Sequence, residues 1–180
     1  MRLNLPVSRK EYTLRPSMLI VSRTDLKGRI AWVNEDFIEA SGYAECELIG
    51  QPHNLLRHPD MPAAAFADLW RDLSAGRPWQ GVVKNRRKNG DHYWVHANVT
   101  PMLEAGQVVA YLSVRKTASR AEVTACDAAY TLLNGEGAAA WTVRHGALVG
   151  AADAARESSW RARWLGGAGS LQRRFAVPAV

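Results

Sequence analysis

Cysteine is scarce in this chain. The two that occur, Cys46 and Cys126, lie far apart and match no metal-ligand or redox spacing. A disulfide scaffold is thereby excluded, and both read as free thiols in a reducing cytosol. Long apolar runs are missing too. The Ala-rich stretch after Glu136 comes nearest to one, but Arg144, His145 and Asp153 interrupt it, so no segment is long enough to span a bilayer. The opening MRLNLPVSRK has no apolar core behind its charges and is not a secretory signal. There is no phosphate-binding loop, no metal quartet and no nucleophile–base–orienter set, so nothing argues for an enzyme. The net charge is +6, yet the basic residues do not form one stripe. They gather at Lys84, Arg86, Arg87 and Lys88 and again at Arg161, Arg163, Arg173 and Arg174, with no nucleic-acid motif around them.

What is present reads as one domain with a tail. Residues 1–17 are polar and proline-punctuated and form an N-terminal cap segment. Met18 to Thr24 and Arg29 to Val33 alternate around the turn Asp25-Leu-Lys-Gly28, which predicts a β-hairpin. Asn34 can cap a short helix that Gly42 ends, and Ala44 to Ile49 forms a second. Asp60-Met-Pro62 opens a third, in which Phe66, Leu69, Trp70 and Leu73 recur at helical spacing. Trp79 to Lys88, His92 to Met102 and Val108 to Lys116 read as strands, the first two joined by an Asn89-Gly90 turn. The expectation is an α+β domain over residues 18–118: a five-stranded antiparallel sheet with short helices covering one face. Residues 119–180 are expected to be a helical linker, with Val123, Cys126, Ala129, Tyr130 and Leu133 on one face, followed by a basic tail without a core of its own.

The segment from Gln51 to Met102 concentrates the chemistry. Its loop, aromatic helix and strands suit a flat, anionic small molecule. Arg57 can pair with a phosphate through two hydrogen bonds. His53 and His58 can add donors, and Asp60 can reach a hydroxyl; a loop ion pair and a helix cap at Asp60 are the plainer alternative. Phe66 and Trp70, one turn apart, fit a core as well as a ligand wall. The Trp79 indole could donate to a ring edge or simply fill the sheet face. Asn85 and Asn98 sit inside strands, where Asn is disfavoured, so each either faces a ligand or points to solvent. Asn34 reads first as a cap, with a ligand contact second. His92 and His96 share a strand face but lack a third ligand for a metal.

The order of elements, with Asn34-x-x-Phe37, Ser41-Gly42-Tyr43, Gly50 and the Lys88-Asn-Gly-Asp91 hairpin, resembles a PAS domain. RHPDMP (Arg57 to Pro62), PWQGVVKNRRKNGDHYWVHANVTPM (Pro78 to Met102) and YLSVR (Tyr111 to Arg115) are similar, more specifically, to the N-terminal PAS domain of bacterial aerotaxis receptors, which bind FAD non-covalently. AYTLLNGE, RHGALV and WRAR extend the likeness weakly into the tail. The resemblance implies a PAS fold and an FAD pocket drawing on Asn34, His53, Arg57, His58, Asp60, Phe66, Trp70, Trp79, Asn85 and Asn98. It turns Arg57, His58 and Asp60 towards the ligand reading and leaves His53 open. It further implies a redox or oxygen sensor that passes the flavin's state to a signalling partner; haem-based gas sensing is the alternative. Such receptors continue into a membrane anchor and a signalling coiled coil that these residues lack, so the expectation concerns the sensing half. The expected setting is cytoplasmic, with weak self-association or a separate signalling protein as partner. Peripheral contact of Trp160 to Leu165 with an anionic membrane surface is also expected.

Overall fold

The computed structural model describes residues 4–155. Strands β1 (Ile20–Thr24) and β2 (Ile30–Val33) pair antiparallel. The Asp25 carboxylate shapes their turn by accepting the backbone N–H groups of Lys27 and Arg29, and Gly28 takes a positive φ of 73°. Helix α1 (Glu35–Ser41) starts at Asn34, whose side-chain oxygen accepts from Phe37 N and from Val21 N, while its amide donates to Leu19 O. One side chain thus caps the helix and fastens it to β1. Helix α2 (Glu45–Leu48) and a single 3-10 turn, His53–Leu56, follow. Helix α3 (Ala63–Ser74) has Pro62 at its N-cap, so it begins three residues after Asp60 and does not use that carboxylate as a cap.

Strands β3 (Trp79–Arg86), β4 (His92–Glu104) and β5 (Gln107–Thr117) complete a five-stranded antiparallel sheet in the order β2-β1-β5-β4-β3. Its inner face packs against α1, α2 and α3 around buried Phe37, Leu48, Leu56, Met61 and Leu73. Fully burying a side chain such as Phe37 stabilises the fold by roughly 1.5–3 kcal/mol. Helix α4 (Arg120–Asn134) opens on a Ser119–Glu122 capping box and lies on the outer face, where Tyr130 stacks on Trp94 and Glu122 meets His96.

Residues 4–12 run along the β3–β4 hairpin. Ser8 N donates to Gly90 O, and Tyr12 and Lys10 exchange backbone bonds with His92. The basic strand end beside this pairing is a clamp. Arg86 is buried and donates to Leu5 O, Pro6 O and the Tyr43 hydroxyl; Arg87 donates to Glu39 O; Lys88 pairs with Glu47.

The segment after α4 also departs from expectation. Strands β6 (Trp141–Arg144) and β7 (Ala147–Gly150) form a second sheet and dock on α3, with Val143 joining the main core. The reason lies in the turn. His145 and Gly146 both have positive φ, 50° and 77°, as a tight two-residue hairpin requires. Their N–H groups donate to the buried carboxylate of Asp68 on α3. The expected tail contact from Trp160 to Leu165 lies outside the described residues. Among the described residues no helix is long and apolar enough to cross a membrane.

Candidate functional site

The pocket exists because the inner face of the sheet is short of side-chain volume. Residues directly opposite one another on neighbouring strands share a face. Gly81, Ala97 and Arg115 form one cross-strand row; Trp79, Val99, Ser113 and Ser22 form the next. Glycine, alanine and serines leave a trough under α3, a cavity of about 170 Å³. The 3-10 turn and the loop after it supply Pro52, His53, Asn54 and Arg57; α3 supplies Phe66, Leu69, Trp70 and Leu73; the β1–β2 turn supplies Lys27 and Gly28.

Six of the ten residues picked out in the sequence line this cavity: His53, Arg57, Phe66, Trp70, Trp79 and Asn85. Asn85 is buried beside Tyr93, whose hydroxyl burial pushes up to about 12. Trp70 lies across the mouth, edge-on to Tyr111 with ring centroids 5.6 Å apart and packed against Gly28. The Arg57 guanidinium stacks 3.9 Å above the Phe66 ring and donates to Met61 O. The Trp79 indole lies flat over Gly81, and its N–H is already committed to Asp68, 2.8 Å away. Its contribution is therefore a wall, the sheet-face alternative of the two readings.

The other four lie elsewhere. Asn34 is occupied as cap and strand tie. Asn98 falls between Ala97 and Val99, which line the cavity, and so points to the outer face. His58 and Asp60 are displaced by an alternation that sequence spacing did not show. Arg57 bridges Asn85 and His58 N donates to Lys84 O, so the loop runs as a short strand beside β3. Arg57 then faces the cavity while His58 faces outward to His92, ring centroids 5.7 Å apart. Asp60 pairs with Lys84 at 2.7 Å on that outer side. Burial would raise the Asp60 pKa, but the Lys84 hydrogen bond and the neighbouring positive charges hold it below the usual value. His58 is pushed down to about 4 by burial, against the pull of Asp60.

Sequence reasoning missed a buried cation in the lining. The Arg115 guanidinium is buried and faces no carboxylate among the described residues. It donates to Ser22 Oγ at 3.2 Å and meets His53 Nε2 at 2.8 Å. Arginine has no acceptor, so His53 Nε2 must carry a lone pair, which makes the imidazole neutral with its proton on Nδ1. Burial, then the Arg115 charge, pushes the His53 pKa down to about 3. Arg115 is itself lowered by burial to about 10 and stays charged at neutral pH. Lys27, Arg57 and Arg115 give the lining three cations, and it contains no Asp or Glu. Arg57 Nε and Ser113 Oγ are buried without a hydrogen-bond partner. A buried charge and buried polar atoms left in this state are costly, so the site is complementary to a ligand that is flat, anionic and able to accept.

Known proteins share this fold. A family model described as the PAS fold matches residues 30–115. Those residues carry the PAS fold. The chain is 42% identical over 174 residues, 97% of its length, to the aerotaxis receptor of Escherichia coli (strain K12), of which it spans 32%. It is 30% identical over 100 residues, 55% of its length, to the nitrogen fixation regulatory protein of Klebsiella oxytoca, of which it spans 20%. Among solved structures, a light-oxygen-voltage domain studied with a flavin analogue superposes on this PAS domain with a TM-score of 0.57 at 24% identity, covering 61% of this chain and 84% of that one. The light state of the blue-light photoreceptor aureochrome gives 0.55 at 19% identity, covering 60% of this chain and 91% of that one.

Proposed function

We propose that this PAS domain is a flavin-based redox sensor, of the kind that aerotaxis needs, with FAD as its non-covalent cofactor. The observation that carries the reading is the lining: three cations, no acid, two orphaned polar atoms and an aromatic wall around a flat trough. When bound, a flavin supplies a ring system whose charge and hydrogen-bond demand change on reduction. The chain's own part is to hold that ring and register the change. Arg115 presents fixed positive charge at the floor, held by Ser22 and by the lone pair of His53. Arg57 and Lys27, nearer the mouth, suit the phosphates. His58 and Asp60 support the Arg57 loop from the far side of β3. Trp70 must rotate outward to admit a tricyclic ring, since the cavity beneath it is smaller than the roughly 300 Å³ at which ligand pockets begin.

A haem reading is less well served. His53 is the imidazole in the lining, and its available lone pair faces Arg115. The relatives named above are a receptor and a regulator, and we take the role here to be signalling in the cytoplasm, with a signalling protein or a second copy as partner. The test is the cofactor itself. Purified protein should show the two-banded blue absorption of flavin, and heating should release FAD. Arg57→Ala should weaken FAD binding about ten- to a hundredfold. A Soret band, FMN, or well-folded protein that fails to bind added FAD would overturn the proposal.

A further inference from the structure

Asp68 sits in the middle of α3 with its carboxylate wholly buried. It faces two parts of the molecule at once. Oδ2 accepts the Trp79 indole N–H at 2.8 Å and the Gly146 N–H at 2.7 Å; Oδ1 accepts the His145 N–H at 2.9 Å and pairs with Arg71. Trp79 is pocket wall, whereas His145 and Gly146 are the turn of the β6–β7 hairpin. A second tie runs beside the first: His145 Nδ1 lies 2.8 Å from Asp72 Oδ2, whose other oxygen takes Arg77. Gly146 is forced by close approach, because a Cβ there would overlap the backbone carbonyl of Gln80, next to Trp79. The hairpin turn is therefore seated on the start of β3 and on the carboxylate that orients the pocket's tryptophan.

We infer that Asp68 is a positioning residue for the pocket, one that fixes the Trp79 indole in the wall and makes its orientation depend on the seating of the β6–β7 hairpin. A buried carboxylate must keep its donors. Withdrawing the turn leaves Oδ1 and Oδ2 short of two N–H groups and frees Trp79 to reorient. The coupling is reciprocal: a ligand that changes the Trp79 orientation changes how firmly the hairpin is seated. The β6–β7 hairpin is thus tied to the pocket wall through the Asp68 carboxylate.

The flavin reading enters only through the ligand used in one of two readouts. The variants are Asp68→Asn, Gly146→Ala and Trp79→Phe, alone and in pairs, in the full chain. The first readout needs no ligand: exchange of the Trp79 indole proton by NMR, slow in the parent and fast in Asp68→Asn and Gly146→Ala. The second is the Kd for added FAD by fluorescence titration. Asp68→Asn and Gly146→Ala should each weaken it about tenfold in the parent and leave it unchanged in the Trp79→Phe background. Gly146→Ala carries the test if the Asp68 variant does not fold. Equal losses with and without Trp79 would show that Asp68 merely holds the fold together, and would overturn the inference. So would a Gly146→Ala protein whose hairpin amides exchange freely while the Trp79 indole stays protected. If the parent binds no FAD, the flavin reading falls, and indole exchange alone decides this one.

Discussion

Arg115 and His53 define the site at the level of single residues. A buried guanidinium without an acid is tolerated here because Ser22 and a neutral imidazole satisfy some of its donors. The pair also makes a prediction about pH. The folded His53 pKa, about 3, lies below the value of about 6.5 expected in the unfolded chain. As pH falls, the unfolded chain takes up the proton first. The stability held by neutral His53 is complete above about pH 6.5 and is lost as pH drops towards 3, at up to about 1.4 kcal/mol per pH unit. His58, at about 4, acts in the same direction and leaves a residual slope. His53→Gln retains an acceptor for Arg115 but cannot titrate. Its melting temperature should therefore fall less steeply than the parent's between pH 6.5 and 4. Parallel curves from calorimetry would mean that His53 does not titrate with folding.

Strand β3 organises the site at the level of elements. Its inner face carries Trp79, Gly81, Val83 and Asn85, and its free edge holds the Arg57 loop. Gly81 is required by the indole lying over it, since a Cβ would overlap the Trp79 ring. Gly81→Ala should displace Trp79 and weaken FAD binding about tenfold, while costing roughly 1–3 kcal/mol of stability through overpacking. Unchanged FAD affinity and melting temperature would place the Trp79 ring elsewhere. The sheet, its hairpins and the pocket-facing Phe66 and Trp70 were legible in the sequence, because apolar periodicity and Asn-Gly punctuation mark them. The rest was hidden by inversion. In Tyr111-Leu-Ser-Val-Arg115 the polar positions alternate with apolar ones, a pattern that reads as a solvated face. Here Tyr111, Ser113 and Arg115 are buried, while Leu112 and Val114 are only partly covered. His58 and Asp60 fall outside the cavity lining for a related reason: no local pattern shows that their loop pairs with a strand edge and so alternates sides. The β6–β7 hairpin escaped because its anchor, Asp68, is remote in sequence and looks like one more charge on a helix.

The molecule as a whole is a sheet covered on both sides, by different means. The inner cover of α1, α2 and α3 contains the pocket; the outer cover is α4, with Val123, Tyr130 and Leu133 buried. The apolar stripe of α4 needs a surface to cover it. It is satisfied within the chain: Tyr130 stacks on Trp94 and donates to Val82 O, and Asn134 donates to Asp60 O at 2.6 Å. Shortening the protein uncovers that surface. With α4 present, Trp94 is 5% exposed. A chain ending at Ala118 loses that cover and exposes Trp94 on a sheet face that already carries Trp32, 45% exposed. The enlarged apolar surface favours association. Sedimentation at matched concentrations should therefore show the shortened chain associating more strongly than the full one, about tenfold or more in the dimer constant if one large side chain's burial is recovered at the new interface. Trp94→Ser in the shortened chain should reverse most of the gain. A shortened chain less prone to associate than the full one would mean that α4 itself carries the contact between copies, and that its stripe leaves the sheet to make it.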